Sequence, residues 1–346
     1  MVKTVLWKDI YEKLRTEIKS GKYKSGDKFL RIKDICKKFN VSEITARRIL
    51  DELEKERLIK QRQRIGSIIK IRKRNKIYFL ISSNLDVKNL SSLHIIQARI
   101  FKGIFEKSIE EKVEIEFVSD NIDFENLKKE NVYMISYHTL NSDIEEKVLN
   151  TKDGSNIILI HSTIPFPNLH TVRIDLYKSA YLATKHLLER NYRKIGFITG
   201  RLDDEWFLPR FEGYLSALKE KRIGFDIGLV RVTDGLNKEE DWEAIEELLN
   251  LKERPDAIFC ANDVRAINVL EYCNRKNIKV PEELAICGFD NIPDTETTLP
   301  PLTTVDTKLE QLGEKSIELG IELLEGRIKE IKDIIIEPEL IIRQTT

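Results

Sequence analysis

From Lys76 onward the sequence alternates short β-prone runs with amphipathic helical patterns, and it does so in two series. In the first, Ile77 to Ile81, Val113 to Val118, Tyr133 to Tyr137 and Ile157 to Ile160 read as strands, with helices near Leu93 to Glu110 and Ile144 to Asn150. In the second, Lys194 to Thr199, Leu229 to Val232, Ala257 to Cys260 and Leu284 to Gly288 read as strands, interleaved with helices near Leu176 to Arg190, Arg210 to Lys221, Glu239 to Asn250 and Val264 to Lys276. Parallel neighbours cannot be joined by a tight turn and need a crossover, so this order selects parallel sheets covered by helices. Two series predict an α/β body of two parallel-sheet lobes over 77–346, approximately 77–161 plus 303–330 and 162–302 plus 331–346. Open α/β sheets bind ligands beyond the carboxyl ends of their strands, which makes the cleft between the lobes the expected site.

The first 76 residues are different in kind. They hold 24 Lys and Arg against 10 Asp and Glu, a net charge of +14, while the remaining 270 hold 34 against 48 and carry −14, so a total of zero hides a basic head on an acidic body. A head of that charge implies a polyanionic partner, although solvated lysines alone would give the same count. Its apolar residues decide in favour of structure. Trp7, Ile10, Leu14 and Ile18 recur at helical spacing until Ser20-Gly21; Ile32, Ile35, Cys36 and Phe39 mark a second short helix ending near Asn40. In Val41 to Leu53, Ala46, Ile49, Leu50 and Leu53 share one helix face, and Ile44, Arg47, Arg48 and Asp51 share the other, with Ser42 placed as the N-cap. Two arginines beside an apolar side chain suit phosphates, guanine edges and a thymine methyl, as in a major-groove recognition helix; a solvated surface face is the alternative. Leu58 to Gln63 and Ser67 to Ile71 then form β-prone runs about an Arg64-Ile65-Gly66 turn. Three helices plus a β-hairpin wing predict an N-terminal winged helix over 1–71, with a basic linker at 72–76 that either touches phosphate or is merely solvated.

Other classes find little support. Cys36, Cys260, Cys273 and Cys287 show no C-x-x-C spacing and read as reduced thiols. No segment approaches a membrane span and no signal peptide precedes the head, so a cytoplasmic protein without a membrane partner is expected. The five histidines form no zinc-protease pattern, and neither a phosphate-binding glycine loop nor a nucleophile elbow occurs. An enzyme, a metal site and a cofactor are therefore not expected.

Residues 7–71 resemble the DNA-binding domain of the GntR family of bacterial transcription regulators, through W-K-D-I-Y-E-K-L-R-T-E-I-K-S-G-K-Y-K-S-G-D-K-F, V-S-E-I-T-A-R-R-I-L-D-E-L-E-K-E-R-L-I and the wing. The resemblance implies DNA contacts at Ser42, Thr45 and Arg47, at the wing around Gly66, and at Lys33. Ile44 and Arg48 join them from the helix face, and Arg64 stands where the wing's first glycine is usual. Leu30-Arg31-Ile32 and Glu43 also depart from the family pattern. A glutamate at 43 would repel phosphate but could accept a hydrogen bond from cytosine.

The body resembles the effector domain of the lac and galactose repressor family, itself similar to periplasmic sugar-binding proteins, so that the whole has an arabinose-repressor-like architecture. Y-R-K-I-G-F-I-T-G at 192–200, R-F-E-G-Y at 210–214, A-N-D-V-R-A at 261–266, V-P-E-E-L-A-I-C-G-F-D-N-I-P at 280–293 and P-P-L-T-T-V-D at 300–306 carry the likeness, and 84–131 matches poorly. It implies effector contacts at Arg210, Asn262, Asp290 and His161, with Ser82 as a further candidate after the first strand. Forked donors and acceptors of this kind suit a polyol or a base. The same residues could instead bridge loops, with Asn262 capping a helix. Trp206, Phe207, Phe166 and Tyr137 could stack on a sugar or lie in the core. The expectation is a homodimeric repressor whose hold on double-stranded operator DNA is controlled by a small, sugar-like effector. A sugar-binding protein or sugar-processing enzyme on the same body, or a DNA-binding protein without a ligand, are the alternatives.

Overall fold

A computed structural model describes residues 7–19, 22–23, 26–56, 58–62, 66–69, 76–81, 92–119, 123–124, 127–128, 130–137, 142–151, 153–235 and 237–346. The chain forms two compact units, Met1–Asn75 and Lys76–Thr346.

In the first unit, α1 (Trp7–Lys19), α2 (Ile32–Phe39) and α3 (Glu43–Lys55) precede the antiparallel strands β1 (Ile59–Arg62) and β2 (Gly66–Ile69). Ile10, Leu14 and Ile18 of α1, Ile35 of α2, and Ala46, Ile49, Leu50 and Leu53 of α3 meet Ile59 and Ile69 in one buried cluster. The hairpin is bound to α3 through Gln61, whose N–H donates to Glu54 Oε1 at 2.8 Å and whose Nε2 donates to Asp51 Oδ1 at 2.9 Å. This is a winged helix. Arg64, Ile65 and linker residues 72–75 lie outside the described residues.

The second unit carries β3 (Ile77–Ile81), α4 (Ser92–Glu111), β4 (Ile115–Ser119), β5 (Val132–Ser136), α5 (Ser142–Leu149), β6 (Gly154–Ile160) and β7 (Leu169–Ile174). It continues with α6 (Leu176–Glu189), β8 (Ile195–Thr199), α7 (Leu208–Glu220), β9 (Val230–Val232), α8 (Lys238–Leu249), β10 (Ala257–Cys260), α9 (Asp263–Arg275) and β11 (Ala285–Cys287). Last come β12 (Thr304–Asp306), α10 (Leu309–Leu324), β13 (Asp333–Ile336) and β14 (Glu339–Ile341). One parallel sheet runs β13-β7-β6-β5-β3-β4, a second runs β11-β10-β8-β9, and β12 pairs antiparallel with β14. Central strands such as Ile157–Ile160 and Ala257–Cys260 are buried throughout, as all-apolar runs covered on both faces should be.

The lobe limits differ from those expected. Segment 169–174, which the division at 161/162 assigns to the second lobe, is β7 of the first sheet, and 333–336 is its edge strand β13. Polar chemistry holds this pair: Arg173 makes two contacts of 2.8 Å with Asp333, and Thr171 Oγ1 donates to Asp333 at 2.6 Å. Thr171 and Arg173 interrupt the apolar pattern of β7, and β13 offers only the short run Ile334 to Ile336. The chain therefore leaves the first sheet after Ile174 and again after Ile336.

Each lobe also contains a helix pair in backbone contact. A Cβ on Gly103 of α4 would fall 1.9 Å from the Glu310 carbonyl oxygen of α10, and one on Gly313 would fall 2.2 Å from that of Ile100. In the second lobe a Cβ on Gly213 of α7 would meet the Tyr177 carbonyl oxygen of α6 at 2.3 Å. Gly103→Ala should lower the urea midpoint by the equivalent of about 1–3 kcal/mol, the usual cost of overpacking. An unchanged midpoint would mean that α4 and α10 separate without cost.

Candidate functional site

The head's recognition surface follows from two caps. Asn40 adopts the left-handed conformation (φ 51°) after α2, turning the chain sharply, and Ser42 Oγ accepts from the Thr45 N–H at 3.2 Å to start α3. With one face of α3 buried, the other projects Ile44, which is 83% exposed, together with Arg47 and Arg48. Thr45 Oγ1 lies 3.0 Å from Ser42 Oγ, so this pair is arranged as a unit. Lys33 is exposed on α2. Gly66 opens β2 in the left-handed region (φ 94°), where a Cβ would lie 3.3 Å from Cγ of Arg31. That contact sets Arg31 beside the wing, a neighbour that sequence reasoning treated only as a departure. Trp7 was also missed: the Arg48 guanidinium carbon lies 4.0 Å from its ring centroid.

In the body, residues at the carboxyl ends of strands from both lobes meet. Arg210, in the first turn of α7, is 6% exposed. Its Nη1 donates to the Ala261 carbonyl just past β10 at 2.8 Å, and its guanidinium lies over the Phe289 ring at 4.2 Å and the Phe207 ring at 5.3 Å. Burial pulls its pKa down, and the Asp290 carboxylate works in the opposite direction. Asp290 follows β11 and is 3% exposed. Burial pushes its carboxyl up to about 6 against the pull of Arg210 and Arg99, with Asp306 adding to the rise. Asp290 and Asn291 both have positive φ, 108° and 54°, so the backbone turns abruptly here.

Two side chains hold that turn. Arg99 of α4 reaches across from the first lobe, its Nη1 donating to the carbonyls of Asp290 at 2.6 Å and Asn291 at 3.0 Å, while Glu310 of α10 takes its Nε and Nη2. Asp263 accepts from the Ile292 N–H at 2.9 Å and from Thr304 Oγ1 at 2.6 Å, and burial beside Asp290 drives its own carboxyl pKa well up. Asn262 caps α9, its side chain accepting from the Arg265 N–H at 3.0 Å, so its oxygen serves the helix.

His161 stands directly after β6 with φ 60°, buried, its ring 4.8 Å from that of Trp206. Glu205, from the loop between β8 and α7, accepts from Thr163 Oγ1 at 2.7 Å and from the Tyr137 hydroxyl at 3.4 Å, a second tie between the lobes. Phe166 packs on Tyr137 at 5.6 Å, and Phe207 fills the space against Gly200, where a Cβ would lie 2.3 Å from its ring. Arg210 Nε and the hydroxyls of Ser162, Thr199 and Thr307 are buried with no hydrogen-bond partner among the described residues. Ser162, Thr199 and Thr307 lie at or just past the ends of β6, β8 and β12. Sequence reasoning named none of these three, since a hydroxyl at a strand end carries no pattern. Ser82 lies outside the described residues. The arrangement offers buried donors, an acceptor carboxylate and aromatic walls, a combination suited to gripping a small polar molecule.

A raised folded-state pKa means that ionising Asp290 opposes folding: its contribution is fully present below its ordinary value near 4 and is lost as the pH rises through about 6. Asp290→Asn preserves the shape and tolerates the left-handed backbone. It should melt above the unaltered protein at pH 8, by up to about 3 kcal/mol, with the difference closing near pH 4. Melting curves at the two pH values check this; equal shifts at both would exclude a buried, strained charge at 290.

Comparison with known proteins bears on the two units separately. Residues 6–69 match the family model of bacterial regulatory proteins, gntR family, and residues 184–346 match that of a periplasmic binding protein-like domain. The HTH-type transcriptional repressor PurR of Haemophilus influenzae strain PittEE is 33% identical over 206 residues, 56% of this chain and 61% of that protein. Its counterpart in strain Rd is 27% identical over 333 residues, 91% of this chain and 98% of that protein. This chain thus spans less than two thirds of the first of these relatives. A solved complex of the transcriptional regulator CelR with cellobiose shares the fold, with a TM-score of 0.65 at 21% identity over 88% of this chain and 92% of that one. The relatives are transcriptional repressors and regulators, and this chain joins a gntR-family head to a periplasmic-binding-protein-like body of the kind seen in LacI-family structures.

Proposed function

We propose that this chain is a cytoplasmic transcription regulator, a repressor, whose affinity for double-stranded operator DNA is controlled by a small sugar-like effector held between the lobes of its body. One observation carries the reading: Arg210 Nε and three hydroxyls at or just past strand ends, those of Ser162, Thr199 and Thr307, are buried without a hydrogen-bond partner among the described residues. Buried polar groups are normally satisfied, so atoms left over at the ends of several strands support a ligand that completes them. The cellobiose held by the CelR relative supports a sugar-like effector. The exposed face of α3 supports DNA as the partner of the head, with Ser42, Thr45 and Arg47 at base edges or phosphates, and Lys33 and Gly66 beside them. Four free thiols support a reducing compartment.

A homodimer completes the reading, because one recognition helix covers only a few base pairs. In its support, exposed apolar side chains gather at the outer strand of each sheet. Phe117 of β4 stands with Phe105 and Ile109 of α4, and Val232 of β9 is accompanied by Phe225 and Ile227. Effector binding would favour one arrangement of the lobes, and the shared edges would pass that preference to the paired heads.

A thermal-shift panel of pentoses, hexoses, their phosphates and purines should yield a stabilising ligand. Calorimetry on Arg210→Met should then show at least a tenfold loss of affinity, about 1.4 kcal/mol. DNA binding without the ligand should be retained. A panel in which nothing raises the melting temperature, or an Arg210→Met protein of unchanged affinity, would remove the effector from this function. Light scattering on the full chain tests the dimer, and a monomer at micromolar concentration would refute it.

A further inference from the structure

We infer that Trp7 is a positioning residue of the DNA interface, its indole ring holding the Arg48 guanidinium ready for a backbone phosphate. The inference rests on the DNA-binding reading of the head and concerns how one contact is prepared. Arg48 is exposed on α3, and its guanidinium carbon lies 4.0 Å from the centroid of the half-buried Trp7 ring, 41 residues earlier at the start of α1. The guanidinium thus sits over the π face of the ring at cation–π distance, and its N–H groups directed away from the ring remain able to donate. A phosphate approaching from that side can therefore be bound without breaking the contact.

The platform itself is fixed. Trp7 packs on the core of the head, and its ring lies 6.2 Å from that of Tyr11, one turn further along α1. The Tyr11 hydroxyl donates to Glu56 just past the end of α3, and Arg15 Nε donates to the same carboxylate at 2.9 Å. The helix that carries Trp7 is thereby pinned to the helix that carries Arg48 at a second point. Arg47, also exposed, has no ring contact, ion pair or hydrogen bond among the described residues. The two arginines are prepared differently. Arg47 is free to search rotamers against base edges, whereas Arg48 has given up much of that freedom before DNA arrives and suits a contact whose position is the same on every sequence.

The test uses the full chain and a labelled duplex of arbitrary sequence, titrated at several salt concentrations. Trp7→Leu keeps apolar bulk over the core and removes the π face; it should weaken duplex binding about two- to fivefold, the worth of an exposed cation–π contact. Trp7→Phe should recover most of the loss. Arg48→Ala should reduce the slope of log affinity against log salt by about 1, as expected for one phosphate contact. Adding Trp7→Leu to Arg48→Ala should cost nothing further, because the ring then has no guanidinium to hold. The inference is overturned by a Trp7→Leu chain that binds as tightly as the unaltered one. It is overturned equally by a loss that adds in full to that of Arg48→Ala, or by a head without a cooperative melt, which would make Trp7 a core residue only. An unaltered chain with no affinity for the duplex at about 50 mM salt would refute the DNA reading itself, and this inference with it.

Discussion

The geometry of the body depends on one half-buried cation. Arg99 leaves α4 in the first lobe, spends two of its nitrogens on the Glu310 carboxylate, and uses a third to reach the carbonyls of Asp290 and Asn291 in the second. A guanidinium withdrawn this far from water is favoured when its N–H groups are paired, as all three nitrogens of Arg99 are. The partners must therefore stay in place together. The backbone at 290 and 291 lies in a region that side-chain-bearing residues avoid, at a cost on the order of 1–3 kcal/mol for such a residue, and it persists only because its surroundings determine it. Arg99 from one side and Asp263 from the other supply that determination. The backbone of Asp290 is thus held by a residue of the opposite lobe.

Much of the head was readable from spacing alone. Ala46, Ile49, Leu50 and Leu53 are buried and Ile44 is exposed, because a helix of 3.6 residues per turn leaves an amphipathic segment one way to lie on a core. Ser42 caps α3 for an equally local reason. Trp7 was legible as a core residue but not as the seat of Arg48, since stacking between residues 41 apart leaves no periodic trace. In the body, strands such as β3 and β10 were found to the residue, being apolar runs bounded by polar ones. β7 and β13 were not: Thr171 and Arg173, which bond to Asp333 across the sheet, interrupt the apolar pattern of β7, and β13 offers only the three isoleucines 334–336. Arg210 and Asp290, which the resemblance pointed to, are both buried. Arg99, Glu205 and the hydroxyls of Ser162, Thr199 and Thr307 became visible only when distant segments were brought together.

The two sites apply opposite physical rules. On the head, charge is exposed and, at Arg48, ordered in advance on an aromatic ring, so a polyanion meets donors that need little rearrangement. At the strand ends of the body, polar atoms are withdrawn from water and lack hydrogen-bond partners among the described residues, bonds that the proposed effector would supply. The first arrangement favours a rapid encounter whose strength falls with salt. The second favours discrimination, because a molecule that misses one bond leaves a buried atom unsatisfied.

The glycine contacts within each lobe restrict how such a molecule can move. Packed helices usually adjust by sliding along a layer of interdigitated side chains, each rotamer yielding a little. At Gly103 and Gly313, and again at Gly213, there is no such layer, because backbone touches backbone. At these two helix pairs, sliding has no layer of rotamers to absorb it. The 290–291 turn is itself joined through Arg99 to α4 and, through Glu310, to α10, so the tightest helix contact of the first lobe and the turn of the second share one side chain.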